Sequence, residues 1–131
     1  MVGIVIVSHS IKIAEGIKEL ASQMAAGDQS IFAVGGTETG EIGTDPVRIQ
    51  ETIEKADQGE GIVVFADLGS AIMSIGVAKE MLNPTLAKRV YLANAPIVEG
   101  VVAAAVEASL GSSCEKVLQT AQDANKMDKS L

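Results

Sequence analysis

Gly3-Ile4-Val5-Ile6-Val7-Ser8-His9-Ser10 is the stretch whose reading decides the fold. Ile4 to Val7 are all β-branched and no polar residue interrupts them, the pattern of a strand buried on both faces. The run then turns polar, and the only histidine of the chain stands at that turn. No basic segment precedes the run and no cleavage site follows it, so it reads as a strand and not as a signal peptide.

Working outward, short apolar runs alternate with segments of helical period. Ile13, Ile17, Leu20, Ala21 and Met24 predict the inner face of a helix over 11–25, ended by Gly27-Asp28. A second strand is expected over 30–34, then a loop over 35–44 with four glycines. Asp45-Pro46 opens the next helix, because Asp caps and Pro suits the first helical position. Its inner face is Ile49, Ile53 and Ala56. The third strand is 61–66 and the next helix about 70–82, ended by Asn83-Pro84. That helix is apolar nearly all round, which suits burial on more than one side and a subunit interface. A fourth strand over 90–93 precedes two helices. Val98, Val101, Val102, Ala105 and Val106 line the first, which Gly111 stops. Ser112 to Glu115 has capping-box spacing for the second, with Val117, Leu118 and Ala121 inward. The tail over 125–131 is polar and expected to fray.

This order predicts an α/β fold in three layers, α/β/α, as one domain over 1–131. The sheet is expected to be mainly parallel with strand order 2-1-3-4. The chain reverses direction between strands one and three. Ligands of such sheets bind at the carboxyl ends of the strands, at that switch point.

Composition narrows the function. Aromatic residues make up 2% of the chain and the net charge is −7. Few aromatic faces disfavour a site that stacks bases, and an acidic chain without a basic cluster is a poor nucleic-acid binder. One cysteine, Cys114, allows no intramolecular disulfide and fits a cytoplasmic setting. One cysteine with one histidine also argues against a zinc site, and no metal is expected. No apolar run approaches the ~20 residues of a membrane span.

Ser8-His9-Ser10 ends strand one and Asp67-Leu68-Gly69-Ser70 ends strand three, so the predicted strand order sets His9 beside Asp67. A carboxylate that accepts a hydrogen bond from one ring nitrogen fixes the tautomer and leaves the other as a nucleophile. The N–H groups of Gly69, Ser70 and Ala71 would open the following helix as an anion site. Thr44 and Ser8 are candidate hydroxyl donors to a phosphoryl group. A lone histidine is more often structural or simply exposed, but His9 follows a buried strand directly and sits on no apolar helix face. An Asp after a strand often caps the next helix; Ser70 is equally able to cap here, which frees Asp67. The glycine-rich loop has neither the P-loop ending nor a GxGxxG pattern.

With these residues placed, the chain resembles the phosphotransferase subunits (DhaM) of PEP-dependent dihydroxyacetone kinases, which share the fold of the mannose-type IIA domain. The resemblance rests on Ile4 to Ser10, Glu15-Gly16, Ile42-Gly43-Thr44-Asp45, Asp67 to Ala71, and Ala95-Pro96-Ile97-Val98-Glu99-Gly100. It implies that His9 is phosphorylated by the carrier protein HPr and that Asp67 orients it. It implies transfer to ADP held on a partner kinase subunit, with no cofactor on this chain itself, and a homodimer. The transporter relatives read Asp-Thr-x-Gly-Gly-Ser-Pro after strand three; this chain departs at Leu68, Ser70 and Ala71. Ile11 and Leu68 are the expected apolar contacts of a docking surface.

The leading alternative is a IIA component of a mannose-type sugar transporter. A receiver phosphorylated on Asp67 would want an acidic pair after strand one, where this chain has Ser8-His9-Ser10. A hydrolase using His9 as base lacks a G-x-S-x-G elbow. A binding module without chemistry is the remaining class.

Overall fold

β1 (Gly3–Ser8) is central in a four-stranded parallel sheet, between β2 (Ile31–Gly35) and β3 (Ile62–Ala66), with β4 (Val90–Leu92) beyond β3. The order is the expected 2-1-3-4. The computed structural model describes residues 1–27 and 30–131. All six residues of β1 are buried, as a strand covered on both faces requires.

The period of two divides the core. Ile4, Ile6, Ile31, Val63 and Phe65 face α1 (Ile11–Met24), α5 (Ile97–Ser109) and α6 (Cys114–Asp123). Val5, Val7, Val34, Ile62 and Val64 face α2 (Pro46–Ala56) and α3 (Gly69–Met81). The α2 face is the predicted one: Ile49, Ile53 and Ala56 are buried. Asp45 caps this helix, its side chain accepting from Val47 N–H, with Pro46 in the first turn.

Several expectations are corrected. In α1 the buried residues are Ala14, Ile17 and Ala21, while Ile13, Leu20 and Met24 are exposed. Small alanines let the helix axis approach the sheet, so the large apolar side chains flank the contact. The helix ends at Met24, and Asp28, expected in its stop, lies outside the described residues. In α3 the buried stripe is Ala71, Ile75 and Ala78; Ile72, Met73, Val77 and Met81 face outward. In α5 the buried residues include Gly100, Val101, Ala104 and Ala105, while Val98 and Val106 are exposed. A short helix, α4 (Pro84–Ala87), was not anticipated; Asn83 caps it through Thr85 N–H. Ser113, not Ser112, caps α6 by accepting from Lys116 N–H, and Ser112 donates to Glu107 instead. Asn125 donates to the Asn94 carbonyl and Lys129 pairs with Glu99.

Candidate functional site

The register of the central strands builds the site. Val7 is level with Ala66, so the residues that follow, Ser8-His9 and Asp67, emerge together at the carboxyl edge. The Asp67 N–H continues the ladder to the Val7 carbonyl at 3.2 Å.

Asp67 accepts four hydrogen bonds, two on each oxygen. Oδ1 takes His9 Nδ1 at 2.9 Å and Leu68 N–H at 2.7 Å. Oδ2 takes Ser8 Oγ at 2.8 Å and His9 N–H at 3.0 Å. The side chains of His9 and Asp67 are 19% and 13% exposed. Burial pushes the Asp67 pKa up, but the bonds from His9, Ser8 and Leu68 outweigh it and hold the carboxyl below its ordinary value.

An ionised carboxylate only accepts, so His9 Nδ1 carries the hydrogen, and in the neutral ring Nε2 carries the lone pair. Nε2 meets the Ser70 hydroxyl. That hydroxyl therefore donates to the nitrogen, and the ring is fixed at both ends with Nε2 turned to α3. The same helix offers backbone donors that could receive an anion. The Gly69 and Ser70 N–H groups lie in its first turn, where no intrahelical acceptor exists.

Three expected phosphoryl contacts stand differently. Ser8 is fully buried and its hydroxyl serves Asp67 while accepting Ser10 N–H. The Ala71 N–H bonds to the Leu68 carbonyl at 3.0 Å and its residue is buried. The Thr44 hydroxyl bonds to Ser74 Oγ at 2.6 Å. Ser70 does not cap α3. Leu68 holds the cap position without a side-chain bond, and Ser70 faces His9 instead. Asp67 is free for the ring because a backbone turn starts the helix.

The glycine-rich loop reaches the same rim. Gly43 N–H donates to the His9 carbonyl at 2.9 Å. Gly35 packs so closely that a Cβ would lie 2.7 Å from the Ser8 carbonyl oxygen, which excludes a side chain. Beside Asp67, a cavity of about 370 Å³ opens between Ile72, Leu92 and Asn94. The sequence pattern singles out neither Ser74, one helical turn past Ser70 on the same face of α3, nor Arg48, which donates to the carbonyls of Gly35, Gly36 and Thr37. Nothing in the sequence pattern signals that contact. Among the described residues no group of three or more His, Cys, Asp or Glu could hold a metal ion, and no helix is long and apolar enough to cross a membrane.

The chain is similar to known proteins over most of its length. The family described as "PTS system fructose IIA component" matches residues 3–118. A phosphoryl donor subunit DhaM of PEP-dependent dihydroxyacetone kinase from Klebsiella michiganensis is 41% identical over 127 residues. This covers 95% of the chain and 27% of that protein, so the chain spans about a quarter of that relative's length. A Listeria innocua phosphoryl donor subunit, of dihydroxyacetone kinase 2, is 40% identical over 119 residues, covering 91% of the chain and 95% of that protein. A crystal structure of a protein of unknown function superposes with a TM-score of 0.87 at 41% identity, covering 98% of both chains. An EIIA component from Streptococcus agalactiae has the same fold, with a TM-score of 0.70 at 12% identity, covering 96% of this chain and 93% of that one. With a parallel 2-1-3-4 sheet, a family match over residues 3–118 and relatives near 40% identity, the chain belongs to the mannose-type IIA family of the phosphotransferase system and, within it, to the DhaM family.

Proposed function

We propose that this chain is the phosphoryl-donor subunit of a PEP-dependent dihydroxyacetone kinase, working in the cytoplasm as a homodimer. His9 takes a phosphoryl group from phospho-HPr and passes it to ADP held on the partner kinase subunit. The observation that carries the reading is the 2.9 Å bond from His9 Nδ1 to Asp67 Oδ1, which leaves Nε2 as the nucleophile.

The chemistry follows from that tautomer. The Nε2 lone pair attacks phosphorus in line as the bond to the donor nitrogen breaks, so the phosphoryl group moves with no net proton transfer. The imidazole ring gains positive charge, and the Asp67 carboxylate stabilises it. Phosphoryl transfer passes through a loose transition state, so positioning and charge do most of the work. Ser70 Oγ and the N–H groups of Gly69 and Ser70 are the proposed donors to the phosphoryl oxygens. The reverse attack, by a terminal oxygen of ADP, returns the lone pair to Nε2.

Both partners must reach one nitrogen, so they use one surface in turn. Leu68 is 64% exposed and Ile42 75% exposed, on segments that flank His9, and Ile11 is half-buried at the start of α1. The outward residues Val77 and Met81 of α3 support the homodimer part of the reading.

Intact mass after mixing with phosphoenolpyruvate, enzyme I and HPr tests the function. An acid-labile gain of one phosphoryl group, absent from His9→Ala, is expected. No gain would sink the reading. Transfer onward to a membrane-bound sugar-transporter component, with none to an ADP-bearing kinase subunit, would replace it by the transporter alternative.

A further inference from the structure

Three successive carbonyls at the end of β2 converge on one nitrogen. Arg48 Nη1 donates to Thr37 O at 2.9 Å, Gly36 O at 3.3 Å and Gly35 O at 3.4 Å. Arg48 lies in the first turn of α2, so the helix that follows the loop holds the loop's beginning. The loop then closes on itself. Thr37 N–H donates to Glu41 O, Gly40 N–H to Thr37 O, and Glu41 N–H to Thr37 Oγ1.

Both ends of this loop press on the turn that carries His9. At its start, Gly35 has no room for a Cβ against the Ser8 carbonyl. Near its end, Gly43 N–H bonds to the His9 carbonyl, and Thr44 is tied to Ser74 of α3. The His9 backbone is therefore held from two sides. Asp67 takes its N–H and the loop takes its carbonyl.

We infer that Arg48 is a positioning residue for His9: by holding the loop over 35–44 against the Ser8-His9-Ser10 turn, it keeps the ring aligned between Asp67 and Ser70. The inference rests on the reading of His9 as the phosphorylated residue. Alignment at this scale matters, because a misplacement of about 1 Å can cost about a hundredfold in rate. All three bonds use one nitrogen, so a lysine ammonium, with three donors on a long stem, can take them over.

The test compares wild type, Arg48→Met and Arg48→Lys. One readout is hydrogen exchange at the Gly43 amide, with Ile6 in β1 as the global control. A second is the 15N shifts of the His9 ring, which report the tautomer. The third is the rate of phosphoryl uptake from phospho-HPr. In Arg48→Met, Gly43 is expected to exchange about tenfold faster with Ile6 unchanged, and the ring signals to move towards a mixture of tautomers. Uptake is expected to slow about tenfold in kcat with KM for the donor unchanged, and Arg48→Lys to restore all three. Wild-type exchange, ring shifts and kcat in Arg48→Met would overturn the inference. So would a loss shared equally by Ile6 and unrescued by lysine, which marks a residue serving stability alone. If Arg48→Met does not fold, Arg48→Gln, which keeps a donor but not its reach, carries the same readouts. A wild-type protein that takes up no phosphoryl group refutes the function of His9, while the exchange and ring readouts still judge Arg48.

Discussion

Asp67 and Asp57 sit at opposite edges of the sheet, and each faces a nitrogen base. Asp57 follows α2 and receives Arg89 Nη2 on both oxygens, at 3.0 and 3.3 Å. It also accepts Gly59 N–H at 2.9 Å. Asp67 follows β3 and receives His9. Both carboxyls are held below their ordinary value. For Asp57 the Gly59 bond leads, burial opposes it and Arg89 adds to it; for Asp67 burial opposes and the bonds from His9, Ser8 and Leu68 prevail. The electrostatics are alike, yet the partners divide the roles. A guanidinium has no lone pair and keeps its charge, so it can only tie. An imidazole held through one nitrogen offers the other for chemistry. The Arg89 pair joins the end of α2 to the start of β4, while the His9 pair leaves Nε2 at the rim.

Substitution of each carboxylate separates the two most sharply. Asp67→Asn is expected to slow phosphoryl uptake by about 10²–10⁴-fold, the usual range for losing a group that sets protonation at a reacting centre. An amide nitrogen presented to Nδ1 would favour the tautomer with the hydrogen on Nε2, and ring 15N shifts would show it. Uptake within twofold of wild type would remove Asp67 from the mechanism. Ile11→Asp, at the proposed docking surface, is expected to raise KM for phospho-HPr about tenfold with kcat little changed, since one buried apolar contact is worth ~1–3 kcal/mol. Transfer at the wild-type rate from both partners would remove Ile11 from that surface.

Asp57→Asn gives the smallest effect and the clearest contrast. Uptake should be unchanged, and stability should fall by up to about 1 kcal/mol in denaturant titrations, as for a partly exposed ion pair. Its pH dependence has a fixed sign. A carboxyl whose folded pKa is depressed stabilises fully above its unfolded value, near 3.8 here, and loses that contribution as pH falls through the folded one. The Asp57→Asn protein should therefore lie below wild type at neutral pH and converge on it as pH drops below about 4. A gap that widens in acid would refute this account.

How much of this was legible depended on what kind of contact decided each point. Ile4 to Val7 and Ile62 to Phe65 read as strands because burial on both faces leaves a continuous apolar run, β-branched at every position but Phe65. The strand order then placed His9 beside Asp67, and the structure joins them at 2.9 Å. Helix faces were harder to read. Ile13, Leu20 and Met24 keep the helical period as well as Ala14 and Ala21 do, and the alanines win because the backbone must approach the sheet. Hydroxyls were least legible. Ser8, Thr44 and Ser70 bond across the fold, to Asp67, Ser74 and His9, and their own segments do not signal those partners. Arg48 was invisible for a related reason, since its partners are backbone carbonyls and carry no side-chain signature.

The four bonds that Asp67 accepts have a consequence for water. A carboxylate offers about four lone-pair sites, and here His9 takes two, Ser8 one and Leu68 one. None is left to draw a proton from a water molecule, so the nearest carboxylate cannot serve as a base for hydrolysis. A group bonded to Nε2 would face an edge rich in donors and poor in bases. On the proposed function, such an edge would favour delivery to a docked acceptor over leakage to solvent.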